Sequence, residues 1–116
     1  QSAVLVAYER TGGFAGIRER LTVRRSGQAT YARGLRDGSA TFRLNCARLR
    51  TLRTALVEAR FASLAPVYAP DAMVADGFVE TVRHNGRSVQ VLTGAEPPRR
   101  LARVLTLLRD ALSRRR

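Results

Sequence analysis

Hydrophobic and polar residues alternate over residues 3–10: Val4, Val6 and Tyr8 fall on one side of an extended chain, Leu5, Ala7 and Glu9 on the other. That period of two predicts a strand. Gly12, Gly13 and Gly16 then interrupt the pattern, and residues 11–16 are expected to form a loop or wide hairpin connection. Alternation resumes over 17–25, with Glu19, Leu21 and Val23 opposed to Arg18, Arg20, Thr22 and Arg24, the pattern of a half-buried antiparallel strand with a wet arginine face. Ser26-Gly27 makes a turn, 28–35 a third strand, Asp37-Gly38 a tight turn and 40–44 a short fourth strand. Asn45 is a helix N-cap, and Cys46, Leu49, Leu52, Leu56 and Ala59 recur at spacings of three and four, predicting an amphipathic helix to about residue 60 with Phe61 and Leu64 tucked behind it. Residues 65–77, with Pro66, Pro70 and a closing Asp76-Gly77, are expected to be a long loop. Asn85-Gly86 joins strands at 78–84 and 87–93 as a type I′ hairpin. Pro97-Pro98 opens a last helix whose stripe is Leu101, Val104, Leu105, Leu108 and Leu112, with Arg114 to Arg116 at the end where cations suit the helix dipole. The order ββββ-α-ββ-α predicts an α+β two-layer sandwich, an antiparallel sheet of about five to six strands with both helices on one face.

The length, 116 residues, fits one domain spanning 1–116, and 45% hydrophobic with 26% charged residues is an ordinary globular balance. With the single cysteine Cys46 no intrachain disulfide forms. The longest uncharged apolar stretch, 3–8, is too short to span a bilayer, so no membrane role is expected. Charge changes the picture more. There are 21 basic residues against 9 acids, a net charge of +12, and every base is arginine. An acidic partner is one implication; compositional drift toward arginine is another. A nucleic-acid or polyanion-binding module is therefore the competing reading. It predicts a continuous patch of Arg18, Arg20, Arg24, Arg33 and Arg83 on one sheet face, although three Tyr, four Phe and no Trp leave little for base stacking.

An enzyme is not expected. His84, the only histidine, lies at a hairpin end and reads as a solvated turn residue, and Cys46 reads as a small core hydrophobe. One histidine and one cysteine do not make a four-ligand zinc site, and no cofactor is expected. Two segments ask for more than a structural account. Phe14 and Ile17 frame Ala15 and Gly16 in the glycine-rich loop: Phe14 folds back as a core plug, or it stands out as an apolar finger for a partner's pocket. The long loop carries Asp71, Met73, Val74 and Asp76; its two acids serve as turn formers, or they serve a partner in a chain otherwise strongly basic.

The run Tyr8-Glu9-Arg10-Thr11-Gly12-Gly13-Phe14-Ala15-Gly16-Ile17 resembles the opening motif of the emfourin family, protein inhibitors of protealysin-like metallopeptidases of the thermolysin class. Leu52, Leu56, Ala59, Phe61 and Leu64, then Asp76-Gly77-Phe78 leading into Val82, Gly86, Val89 and Val91, and finally Pro97-Pro98 with Leu101, Leu105 and Leu108 resemble its later elements. Glu80 departs from the pattern, standing where an aromatic or aliphatic residue is expected. The resemblance implies a monomeric bacterial binding protein that blocks the cleft of a zinc peptidase. A cytoplasmic setting is expected, with secretion left open by the start at Gln1. In such a complex the catalytic zinc keeps one position open for water, and a carboxylate can displace that water. Asp76, or failing it Asp71, is expected to approach the metal, with Gly12, Gly13, Phe14, Ala15, Gly16 and Ile17 at the substrate pocket and Met73 and Val74 beside them. Both loops must then lie at one end of the sheet.

Overall fold

A computed structural model describes residues 3–13, 16–34, 39–72 and 77–113, with the side chain of Ile17 also undescribed. Its strands are β1 (Val4–Gly12), β2 (Ile17–Arg24), β3 (Gln28–Arg33), β4 (Ser39–Arg43), β5 (Val67–Tyr68), β6 (Phe78–His84) and β7 (Arg87–Leu92); its helices are α1 (Cys46–Ala59) and α2 (Arg99–Ser113). They form one seven-stranded sheet in the order β4-β3-β2-β1-β6-β7-β5. Thus β1 is central, pairing antiparallel with β2 on one side and β6 on the other.

Pairing register sorts the side chains by face. Tyr8 stands opposite Leu21 and Val82, and Leu21 opposite Tyr31, so these share one face. That face meets the helices: Leu52, Ala55, Leu56 and Ala59 of α1 and Leu101, Val104, Leu105, Leu108, Ala111 and Leu112 of α2 join it in one core. The helices run antiparallel, with Arg100 Nε donating to Ala59 O at 2.9 Å where α2 starts and α1 ends. The extents, 41 × 36 × 22 Å, give a thin dimension of one helix layer, about 10–12 Å, on one sheet.

The expected architecture holds in its class, α+β with two helices on one face; the sheet differs from expectation in being seven-stranded and mixed. The added strand is β5, inside the segment expected to be loop, which pairs parallel with β7 through Val67↔Gln90 and Tyr68↔Val91. Two residues bracketed by Pro66 and Pro70 are too short to show a period of two. Val4 also leaves its expected side. The register shifts between Val4 and Val6, and this irregularity buries both Leu5 and Val6 while Val4 is 45% exposed. The first strand runs on to Gly12, because that residue still has a strand on each side, Ile17 and Phe78 being its partners.

In α1, Asn45 is the N-cap as expected, its Oδ1 accepting from Arg48 N at 2.8 Å, and Arg60 ends the helix in the left-handed region at φ 51°. Replacing Asn45 with Ala is expected to cost about 1 kcal/mol, a fall of about 4 °C in thermal midpoint readable by calorimetry. Cys46 is exposed, against its assignment to the core. At the helical period it lies roughly 120° from the centre of the buried stripe, so the spacing of three from Leu49 does not carry it inward. The last helix starts at Arg99, one residue past the prolines, and Pro98 O accepts from both Leu101 N and Ala102 N.

Candidate functional site

The ends of β1 and β6 bring the glycine-rich segment and the exit of the proline-rich segment together. Gly13 N donates to Gly77 O at 3.2 Å, and Gly12 stands beside Phe78. Glycine is required here on two counts. Gly12 has φ +114°, and a Cβ on it would lie 2.5 Å from Gly77 O; a Cβ on Gly13, at φ +81°, would lie 2.9 Å from the Phe78 ring. Phe78 is fixed in turn. Its N–H donates to Thr93 Oγ1 at 2.6 Å, Thr93 N donates back to Phe78 O at 3.0 Å, and the Arg10 guanidinium sits 4.0 Å over its ring. Gly16 N donates to Gly13 O at 3.1 Å. The parallel sense of β5 and β7 means that the chain also leaves β5 at the end where β7 finishes and β6 begins. Asp71 is exposed in the bend after Pro70.

Of the site residues expected from sequence, Gly12, Gly13, Gly16 and the backbone of Ile17 therefore lie at one end of the central strands, with Asp71 on the segment that leaves from the same end. Phe14, Ala15, Met73, Val74 and Asp76 lie outside the described residues.

Behind this edge lies a polar cluster that sequence reasoning missed. The Tyr8 hydroxyl and the Arg109 guanidinium both donate to the Glu80 carboxylate, Arg109 through two nitrogens, with Nε at 2.8 Å from Oε2. Glu80 and Tyr8 are buried, whereas the Arg109 side chain is half exposed. Burial acts to raise the Glu80 pKa, but the hydrogen bonds from Arg109 and Tyr8 and the nearby positive charge outweigh it, holding the carboxyl below its ordinary value. The hydrogen bonds that Arg109 donates to Glu80 raise its own pKa, and burial followed by the bond to Glu80 pushes the Tyr8 hydroxyl well above the usual tyrosine range. A groove of about 520 Å³ runs from Arg10 and Phe78 past Glu80 and Arg109 to Thr93 and Pro97. One signal of the cluster was legible: Glu80 shares its side of β6 with Val82, so a carboxylate facing the core required a cation.

His84 corrects another expectation. It is 8% exposed, its Nδ1 lies 2.7 Å from Leu5 O, and Phe61 meets it edge-on with ring centroids 5.3 Å apart. The carbonyl only accepts, so Nδ1 carries the proton. The hairpin end is solvated, but His84 is the position at which β6 still faces inward. Glu19 is likewise satisfied, accepting from Tyr31 Oη at 2.8 Å. Among the described residues no three His, Cys, Asp or Glu side chains come together as a metal site, and no helix is long and apolar enough to cross a membrane. No family model and no curated protein matches the sequence, so the site is read from its own residues.

Proposed function

We propose that the chain is a protein inhibitor of protealysin-like zinc metallopeptidases of the thermolysin class, presenting the glycine-rich tip and the acid-bearing loop to the enzyme's cleft. The observation that carries the reading is the contact of Gly12 and Gly13 with Gly77 and Phe78, which brings the base of one loop against the exit of the other. Holding the bases of the two loops together reduces the freedom lost when both are placed in one cleft, which favours binding. In the complex a carboxylate of the second loop, Asp76 first and Asp71 second, replaces the zinc-bound water of the target, while Phe14, Ala15 and Ile17 fill the adjoining substrate pocket with Met73 and Val74 alongside. The chain itself performs no reaction and holds no metal of its own.

The test mixes the purified protein with a protealysin-like peptidase and follows peptide hydrolysis. Inhibition at micromolar excess is expected, and full activity across several such enzymes rejects the proposal. Asp76→Ala is expected to raise the inhibition constant tenfold or more, about 1.4 kcal/mol, with an unchanged thermal midpoint. An unchanged constant moves the metal contact to Asp71, and the same substitution there then decides it.

A further inference from the structure

Among the described residues no element covers the face of the sheet opposite the helices, and its side chains follow from the register. Thr22 stands opposite Ala7, Arg20 opposite Glu9, and Arg18 opposite Thr11; on the other side of β1, Arg83 stands opposite Ala7 and Thr81 opposite Glu9. These residues surround a shallow hollow of about 290 Å³. Ala7, with one methyl group, is its floor; Arg18, Arg20 and Arg83 are its walls, with the hydroxyls of Thr22 and Thr81 between them. Arg18, Arg20 and Arg83 are exposed. Three guanidinium groups against the carboxylate of Glu9 leave the hollow with a net charge of +2. The ion pair there among the described residues, Arg18 Nη2 to Glu9 Oε2 at 3.4 Å, is long and solvated, of the kind worth little. Arg24 continues the row along β2, alternate residues of a strand being about 6.8 Å apart. Arg33 does not join it: opposite Glu19, it falls on the other face.

We propose that this open face binds the phosphate backbone of single-stranded nucleic acid, with Arg18, Arg20 and Arg83 as the contacting cations and Thr22 and Thr81 as neutral donors. Guanidinium forks and hydroxyls match phosphate oxygens. The hollow carries threonine and alanine where base stacking needs aromatic rings, so recognition is of the backbone and independent of sequence. Both helices lie on the opposite face, which leaves this one without an element to enter a duplex groove.

The test uses a fluorescent 20-nucleotide oligothymidine, with anisotropy read from low to high salt. Binding with a steep negative salt slope is expected. The triple variant Arg18→Ser, Arg20→Ser, Arg83→Ser is expected to flatten the slope by about 2, which from 50 to 200 mM salt removes roughly a 20-fold change in affinity. A control triple, Arg50→Ser, Arg99→Ser, Arg103→Ser, removes the same charge from exposed helix positions and is expected to leave the slope as it was. Should the first triple fail to fold, Thr22→Glu with Thr81→Glu places two carboxylates in the hollow and is expected to abolish binding. Equal losses in the two triples, no salt-dependent binding by the parent, or capture of anionic vesicles without the oligonucleotide each overturn the proposal. No peptidase enters the assay, so its failure leaves the inhibitor proposal standing.

Discussion

Arg109→Met is expected to destabilise the protein by about 2 kcal/mol, a fall of about 8 °C in thermal midpoint. The substitution keeps a long apolar stem but removes both hydrogen bonds that the guanidinium makes to Glu80. What remains is a buried carboxylate hydrogen-bonded by Tyr8, with the charge of Arg10 nearby. Losing one member of a fully buried pair costs about 3–5 kcal/mol; half exposure of Arg109 lets water compensate in part, hence the smaller figure. The effect depends on pH with a definite sign. In the native protein the Glu80 carboxyl titrates below its ordinary value, so its ionised form is the one the fold favours. That stabilisation is complete above the ordinary glutamate range and declines as pH falls through the lowered native value. In the variant burial acts with less opposition, and the protonated form is the one the site accepts. The difference between parent and variant is therefore expected to narrow between pH 7 and pH 3 in calorimetric scans. A difference constant over that range shows that the ion pair contributes nothing. The companion triple Tyr8→Phe, Glu80→Leu, Arg109→Leu is expected to recover most of the loss, since apolar groups of similar volume leave no unpaired charge.

The second large effect belongs to the shared edge. Gly12→Ala is expected to cost about 2–3 kcal/mol, because φ +114° is a region L residues avoid and the new methyl meets a backbone oxygen that does not swing away. The strand end and Gly77 must separate, so the two loops lose their common base and the inhibition constant is expected to rise more than tenfold. Gly16→Ala is the contrast. At φ +65° with open space around it, the added methyl costs about 1–2 kcal/mol of backbone strain without displacing a neighbour. If the two variants inhibit equally well, the edge does not face the peptidase. Inhibition and thermal midpoint measured on the same preparations separate the loss of placement from the loss of stability.

How far the chain could be read in advance depended on the range of each interaction. Local devices were legible: the Asn85-Gly86 hairpin, the Asn45 cap and the apolar stripe of α2 depend on neighbours within a turn or a strand pair. The glycines of the candidate site were legible for the same reason, as a departure from alternation. Long-range pairings were not. Tyr8 and Glu80 are 72 positions apart and Glu80 and Arg109 are 29 apart, so Glu80 looked like a fault in an apolar strand until Arg109 reached it across the helix–sheet interface. The burial of His84 is not legible locally, because the hairpin signal beside it concerns backbone turning whereas its burial depends on Phe61 and Leu5 from elsewhere in the chain. The exposure of Cys46 is hidden for a related reason: a spacing of three fixes neighbours on a helix but not which of them the sheet covers.

The central position of β1 has a consequence for synthesis. Residues 4–12 leave the ribosome before the rest of the sheet, and β2, β3 and β4 can join them as a meander while translation continues. The other border of β1 gains its partner only when residues 78–84 have emerged, and the Glu80 carboxylate meets its cation only when residue 109 has done so. For that interval the nascent chain carries an open strand border, the feature that invites wrong partners. At ordinary elongation rates of about 5–20 residues per second the exposure lasts for seconds, and closure waits on the segments that carry Glu80 and Arg109.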